Sequence, residues 1–421
     1  MIVKCWRRAC RGVLIALLVL FPCRGIPQTS TSLFVEDDPA FALEVSTRPG
    51  IHADGTVEVR WAIPYLGLLF APVDGGGQLA RYDVVVVVER KGRQLAGTVL
   101  ESEARAANRQ DTFSRALEAR GDYSFEVSPG KCRVRVTVTD RGSGSSCRIE
   151  EEVRVRKRTG PLRVSAPGFV RTPDGVRASD IRREVRMGEE AYLWSIDIAG
   201  DPGQSPVWRV RWGFSAVGRG NLAEGDTTVI PAVGATQASL DVRVPTARLV
   251  PGTNRLIVEV TEQTSRVTER TEALLMVVPG PGWPGGYPED AVRLLMILGD
   301  MDTAHAIRTG ERAECSELLE AYWMAKDPLP STPENEFRDE VFRRIAIAND
   351  LFVEWGERTG WNTDRGSILV KYGEPDERIT REGQTMGGHP VEIWEYRSPR
   401  RRFLFVDSSG TGDFILAGDG Y

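Results

Sequence analysis

The chain has 421 residues, which predicts two to four domains with separate cores rather than one. With 41% hydrophobic and 27% charged residues it has the composition of a globular protein, and its net charge of -5 supplies no general attraction to nucleic acid. A polyanion-binding role is therefore disfavoured.

The first residues depart from that composition. Lys4, Arg7, Arg8 and Arg11 precede an apolar run over residues 13–21, too short to span a bilayer. This is the pattern of a secretory signal peptide over residues 1–25, with cleavage after Gly25. A lipid anchor at Cys23 is the alternative, against which stand the bulky Phe21 and the Pro22 before it. No later segment approaches the length of a membrane-spanning helix. The expectation is an exported protein, periplasmic, cell-surface or secreted, with no transmembrane helix after cleavage.

Residues 38–158 and 160–278 both read as short alternating strands broken by turn signals, the signature of a β-sandwich. The two stretches share a local pattern. Pro129-Gly130 is followed by Val134, Val136 and Val138, and Pro251-Gly252 is followed at the same offsets by Leu256, Val258 and Val260. One hairpin device used twice predicts two tandem immunoglobulin-like sandwiches. Cys132 and Cys147 open consecutive β-like runs, so in an oxidising compartment they are a disulfide candidate, with two free thiols the alternative; Cys315 is expected on a helix, outside that bridge.

Residues 279–286 are a Pro/Gly linker by composition. Beyond it, residues 287–421 change period. Helices are predicted over 289–298, 304–309 and 313–325, and a longer one from the cap Thr332 with Pro333 in its first turn to about residue 355. Residues 367–372, 391–396, 402–406 and 414–416 read as strands. The fold class is thus multidomain: two all-β sandwiches, then an α+β domain with helices packed on an antiparallel sheet.

This last stretch carries Gly360-Trp361-Asn362-Thr363-Asp364-Arg365-Gly366 and, after it, Gly373-Glu374-Pro375-Asp376. Trp323 with Lys326-Asp327-Pro328, Asn335-Glu336, Arg344, Ala348-Asn349, Phe352, Glu392-Ile393-Trp394-Glu395-Tyr396 and Phe403 to Asp407 complete a joint spacing. Together they resemble the GWxTD domain family, known from secreted or envelope-associated bacterial proteins and without an assigned activity. Lys326 departs from the Arg that the family pattern favours there, which puts a two-pronged carboxylate contact at that position in doubt.

Every residue of the Trp361 to Gly366 turn has a local structural job, and that reading is preferred to a binding site. The functional alternative makes Trp361, Thr363, Asp364, Arg365, Glu374 and Asp376 a binding surface, with Asp364, Asp376 and Glu392 as weak catalytic carboxylates. No metal is expected, since His52, His305 and His389 are scattered and no acidic loop has calcium-ligand spacing. Nothing calls for a cofactor, and no phosphate loop or nucleophile elbow is present. The sequence favours a non-catalytic structural or interaction protein whose partner is an envelope protein or glycan, with a carboxylate hydrolase as the alternative. Of the late aromatics, Trp323, Trp355 and Trp394 are expected in the core.

Overall fold

The computed structural model describes residues 30–420 apart from 36–38, 49–54, 74–75, 115–116, 156–161, 173–177, 201–205, 217–219, 281, 285–287, 312–313, 331–333, 353–359 and 386–387. The expected leader at 1–25, Cys23 included, lies outside the described residues, as do Trp355 and Thr332. No described helix is long and apolar enough to cross a membrane.

The first sandwich has one sheet in the order β1 (Ser30–Val35), β2 (Phe41–Arg48), β3 (Gly55–Pro64), β7 (Glu118–Val127). The other runs β6 (Arg93–Ala106), β5 (Gln78–Arg90), β8 (Gly130–Asp140), β9 (Ser146–Val155), with the short β4 (Ala71–Pro72) beside the start of β5. Alternate residues supply the core: Val57, Val59, Trp61 and Ile63 from β3 face Val84, Val86 and Val88 from β5 and Val134, Val136 and Val138 from β8. Gly121 stands opposite Trp61 in register, and a Cβ there would lie 2.2 Å from the indole, so the glycine makes room for the ring.

The second sandwich repeats the plan. One sheet joins β17 (Gln237–Arg243), β14 (Tyr192–Ala199), β11 (Gly168–Arg171) and β12 (Ala178–Ser179), with β10 (Arg163–Val164) on the end of β14. The other runs β13 (Glu184–Arg186), β19 (Thr268–Val278), β18 (Gly252–Glu262), β15 (Trp208–Ala216), β16 (Asn221–Val229), with β13 parallel to its neighbour β19. The β8/β9 and β18/β19 hairpins have the same register shifted by 122 residues, Gly130 opposite Val155 and Gly252 opposite Val277. Each begins on a glycine with positive φ and ends on an acid that accepts backbone N–H groups of its own turn, Asp140 from Gly142 and Ser143, Glu262 from Thr264 and Ser265. The repeated hairpin is thus real.

The disulfide candidate is corrected. Cys132 and Cys147 are buried and not bridged to each other, because the register sets Cys132 opposite Val153 and Cys147 opposite Val138. Six residues of strand separate the two levels, about 20 Å.

The last part contains α1 (Pro288–Leu298), α2 (Met301–Thr309), α3 (Cys315–Lys326), α4 (Glu336–Leu351) and α5 (Asp364–Tyr372). They pack on the antiparallel meander β20 (Glu377–Thr385), β21 (His389–Arg397), β22 (Arg400–Val406), β23 (Ile415–Gly420). Three expectations are corrected here. The cap of α4 is Asn335, whose side chain accepts the Arg338 N–H at 2.8 Å and donates to Trp323 O at 2.7 Å, and the helix stops at Leu351. Residues 367–372 are helix, not strand. And β20, too polar to show an apolar alternation, is an additional strand.

The modules are joined by specific contacts. Between the sandwiches, buried Glu44 of β2, which also pairs with Arg60 of the neighbouring β3, pairs with Arg183, Arg182 pairs with Glu118, and Ala42 and Ala62 pack on Ile181. Val278 and Met276 at the end of β19 belong to the same apolar core as the helices, and Arg186 pairs with Asp339 of α4 at 2.5 Å. The Pro/Gly segment between them is pinned by Trp283, whose ring meets Phe342 and Trp361 edge-on at 5.9 and 5.6 Å.

Candidate functional site

The Gly360 to Gly366 turn is interior. Gly360–Asn362 form a single 3-10 turn, and Trp361 and Thr363 are 3% and 1% exposed. A Cβ on Gly360 would lie 2.1 Å from Ala348 O, and one on Gly366 would lie 1.9 Å from Gly360 O. Both positions therefore admit only glycine, which lets the turn close onto α4 and α5 start at once. Thr363 is the cap: its hydroxyl donates to Gly360 O at 2.7 Å and accepts the Gly366 N–H at 3.0 Å. Asn349 of α4 receives the Trp361 N–H at 3.1 Å, and Arg293 of α1 donates to Asn362 O at 2.7 Å.

α5 then aims its first residues at the sheet. Asp364 accepts the Leu416 N–H at 2.7 Å, tying β23 to the helix start. Arg365 donates to Glu392 at 3.1 Å and to Gly412 O at 3.0 Å, with its guanidinium over the rings of Phe414 and Phe352 at 4.3 and 4.9 Å. Glu392, buried on β21, also accepts from Trp394 Nε1 at 2.8 Å and pairs with Arg378 at 3.1 Å. Two cations and an indole thus saturate one buried carboxylate.

Asp364, Arg365 and Glu392 are therefore brought together, and Glu374 and Asp376 are not. Glu374 is exposed, and Asp376 accepts the Arg397 N–H at 2.7 Å at the hairpin end of β21. Register places Glu392 opposite Thr380 and Glu395 opposite Glu377, so Asp376 lies four or more residues further along the sheet, about 13 Å or more. That exceeds the separation of a working carboxylate pair, about 5–10 Å. Among the described residues no group of three or more His, Cys, Asp and Glu is placed to hold a metal ion.

Two contributors had no role assigned from sequence. Asp407 accepts the N–H groups of Gly410 and Gly412 and the Ser409 hydroxyl at 2.7, 2.8 and 3.0 Å, folding the loop that presents Gly412 O to Arg365. Burial works to raise its pKa, and these donors outweigh burial and hold it below the usual aspartate value. Asn349 also donates to Pro251 O at 3.1 Å, and its neighbour Asp350 accepts the N–H and hydroxyl of Thr253, both at 2.7 Å. The only sequence signal for these residues was their place in the family spacing.

Among the described late aromatics, five are core. Trp323, Trp361, Trp394, Tyr322 and Tyr396 are all buried. Burial pushes the Tyr322 phenol up to about 12 and Tyr396 above the usual tyrosine range. Tyr396 donates its hydroxyl to Gly373 O at 2.9 Å, where α5 ends.

Residues 270–412 match the GWxTD domain family model, so the C-terminal part of this chain is a GWxTD domain; the match begins inside β19 of the second sandwich. No curated protein matches the chain. Among solved structures, red sea bream transglutaminase is similar at 11% identity and a TM-score of 0.18, covering 56% of this chain and 31% of its own. Dimeric latent PorU from Porphyromonas gingivalis is similar at 10% identity and a TM-score of 0.24, covering 56% of this chain and 20% of its own. This chain thus spans less than a third of either.

Proposed function

We propose that this chain is an exported, non-catalytic structural and interaction protein of the cell envelope. The two sandwiches and the GWxTD domain act as one jointed arm whose partner is an envelope protein or glycan. The observation that carries this reading is the occupancy of the carboxylates. Asp364 holds β23, Asp376 holds the β21–β22 hairpin, and Glu392 is neutralised by Arg365 and Arg378. Asp364 and Glu392 are thus committed to contacts within the domain, and exposed Asp376 stands too far along the sheet to work as a pair with Glu392. Export is assigned to the basic and apolar pattern over residues 1–25, with cleavage after Gly25 preferred to lipidation at Cys23.

The test pairs retention with turnover. The purified mature chain should be retained by isolated envelope fragments and should not cleave cell-wall or polysaccharide substrates. Turnover that is lost on Asp376→Asn, an exposed position, would favour the hydrolase alternative and overturn this reading. Intact mass of the exported chain separates cleavage after Gly25 from a lipid on Cys23.

A further inference from the structure

The repeated hairpin gives each sandwich the same Pro-Gly turn, and the two turns have different fates. In the second sandwich, Pro251-Gly252 is where α4 docks: Asn349 donates to Pro251 O, Asp350 receives both donors of Thr253, and a Cβ on Gly252 would lie 2.7 Å from the Asp350 carboxylate. In the first sandwich, among the described residues, no helix reaches Pro129-Gly130. Arg90 lies over the turn instead, its guanidinium 3.1 Å from where a Gly130 Cβ would stand.

The residue at the register position of Arg90 in the second sandwich is Ala216, small enough to leave the turn open to α4. Arg90 donates to Ser128 Oγ at 2.9 Å, Ser128 O at 2.6 Å, Lys131 O at 3.3 Å and Cys132 Sγ at 3.1 Å. All four acceptors are neutral, so among the described residues no carboxylate balances its charge there. Around it opens a surface groove of about 480 Å³ lined by Arg90, Lys91, Pro129, Gly130, Lys131 and Arg133 together with Glu89 and Glu152. The two acids are already engaged, Glu89 by Arg135 and Glu152 by Lys131 and Arg133. Arg90 and Lys91 thus leave the groove positive.

We propose that this groove docks the last turn of a helix of another protein, one that presents a carboxylate as α4 presents Asp350. The Pro-Gly turn supplies the shape already used within the chain, and the added positive charge selects an acidic helix end. The proposal rests on the reading of the chain as an interaction protein and names where one partner binds.

The experiment uses the full mature chain and an alanine-based helical peptide ending in Ala-Asn-Asp-Leu, the order of residues 348–351, with an Ala-Asn-Asn-Leu control. Fluorescence anisotropy should show the Asp peptide binding at least tenfold more tightly than the control. Combined Lys91→Glu and Arg133→Glu, both at exposed positions, should abolish the difference, while Arg400→Glu on the remote hairpin should preserve it. Equal binding of the two peptides, or no binding, overturns the site. So does binding insensitive to the Lys91 and Arg133 reversals, which is what displacement of α4 from the second sandwich would give. Envelope retention that persists in those cases leaves the broader reading standing, and loss of retention by unmodified protein removes both.

Discussion

Asn349 and Trp361 are joined through one carboxamide: its oxygen takes the Trp361 N–H at 3.1 Å while its nitrogen donates to Pro251 O at 3.1 Å. One side chain on α4 therefore fixes the motif turn on one side and the second sandwich on the other. Asn349→Ala should leave a donor and an acceptor without partners and cost about 2–4 kcal/mol, at about 1–3 kcal/mol per stranded buried group with partial access of water. The urea midpoint of the full chain reads this. Asn349→Asp should recover the Trp361 contact alone and fall between wild type and alanine.

The glycines of the motif give a sharper contrast. Gly366→Ala places a methyl 1.9 Å from Gly360 O, a backbone atom that cannot move without opening the turn. A loss above about 3 kcal/mol is expected, from overpacking against fixed backbone. Gly282→Ala, where nothing lies within 4 Å and φ is not positive, should stay within about 0.5 kcal/mol of wild type. Thermal unfolding followed by near-ultraviolet circular dichroism distinguishes the two.

What the sequence revealed and what it hid follow from range. The sandwiches were legible because alternation is local and Pro129-Gly130 and Pro251-Gly252 repeat the same turn chemistry. Helix α5 was misread because Ile368, Leu369 and Val370 are consecutive and apolar, a run that fits a buried strand as well as a buried helix. What decides it is non-local: Gly366 must close on Gly360, and Thr363 must cap from a turn held by Asn349. The Thr363-Asp364 start and Gly373 at φ 80 past the end were helix signals that the apolar run outweighed. The cap of α4 fell to Asn335 rather than Thr332 because Asn335 also reaches Trp323 O on the preceding helix. In the same way, the split between Glu392 and Asp376 depends on β20, a strand with no apolar signature.

Removal of Glu392 tests whether the buried ion cluster is structural. Glu392→Gln leaves Arg365, only 12% exposed, beside a neutral amide, and should cost about 3 kcal/mol. Glu392→Gln with Arg365→Met should recover part of the loss, because the stranded cation goes with its partner. A double-mutant cycle on chemical unfolding measures the coupling. Additivity of the two changes would show that Arg378 alone neutralises Glu392.

Two aspartates predict opposite pH behaviour. Burial raises the pKa of Asp350 despite its bonds from Thr253, so its folded-state value lies above its unfolded value. That group favours the fold fully below the unfolded value and loses the advantage as pH rises through the folded one. Asp350→Asn keeps an acceptor for the Thr253 N–H and should leave the neutral-pH midpoint unchanged or higher. Asp407 is the reverse. Its folded value is depressed, so its contribution is present above the unfolded value and disappears as pH falls through the folded one. Asp407→Asn should lower the midpoint at neutral pH, with the gap closing in acid. Melting series across the acid range for both variants should diverge in sign at neutral pH and converge on wild type at the acid end.

The thiols of the first sandwich offer a prediction that turns on register alone. A disulfide needs Cα atoms about 4.4–6.8 Å apart, and six residues of strand place the levels of Cys132 and Cys147 about 20 Å apart. Oxidation cannot bridge them without sliding β9 along β8 by six residues. An even shift keeps each side chain on its face, so the barrier lies in the hairpin turn, where Asp140 accepts the Gly142 and Ser143 N–H groups and fixes the loop length. The native protein, even when recovered from an oxidising compartment, should therefore keep its melting midpoint in reducing agent. Alkylation should modify Cys132 and Cys147 only after denaturation, because both are buried. An intramolecular bridge between these two residues in the native protein would mean that the hairpin register is wrong. With it would go the alignment of the two Pro-Gly turns on which the docking groove depends.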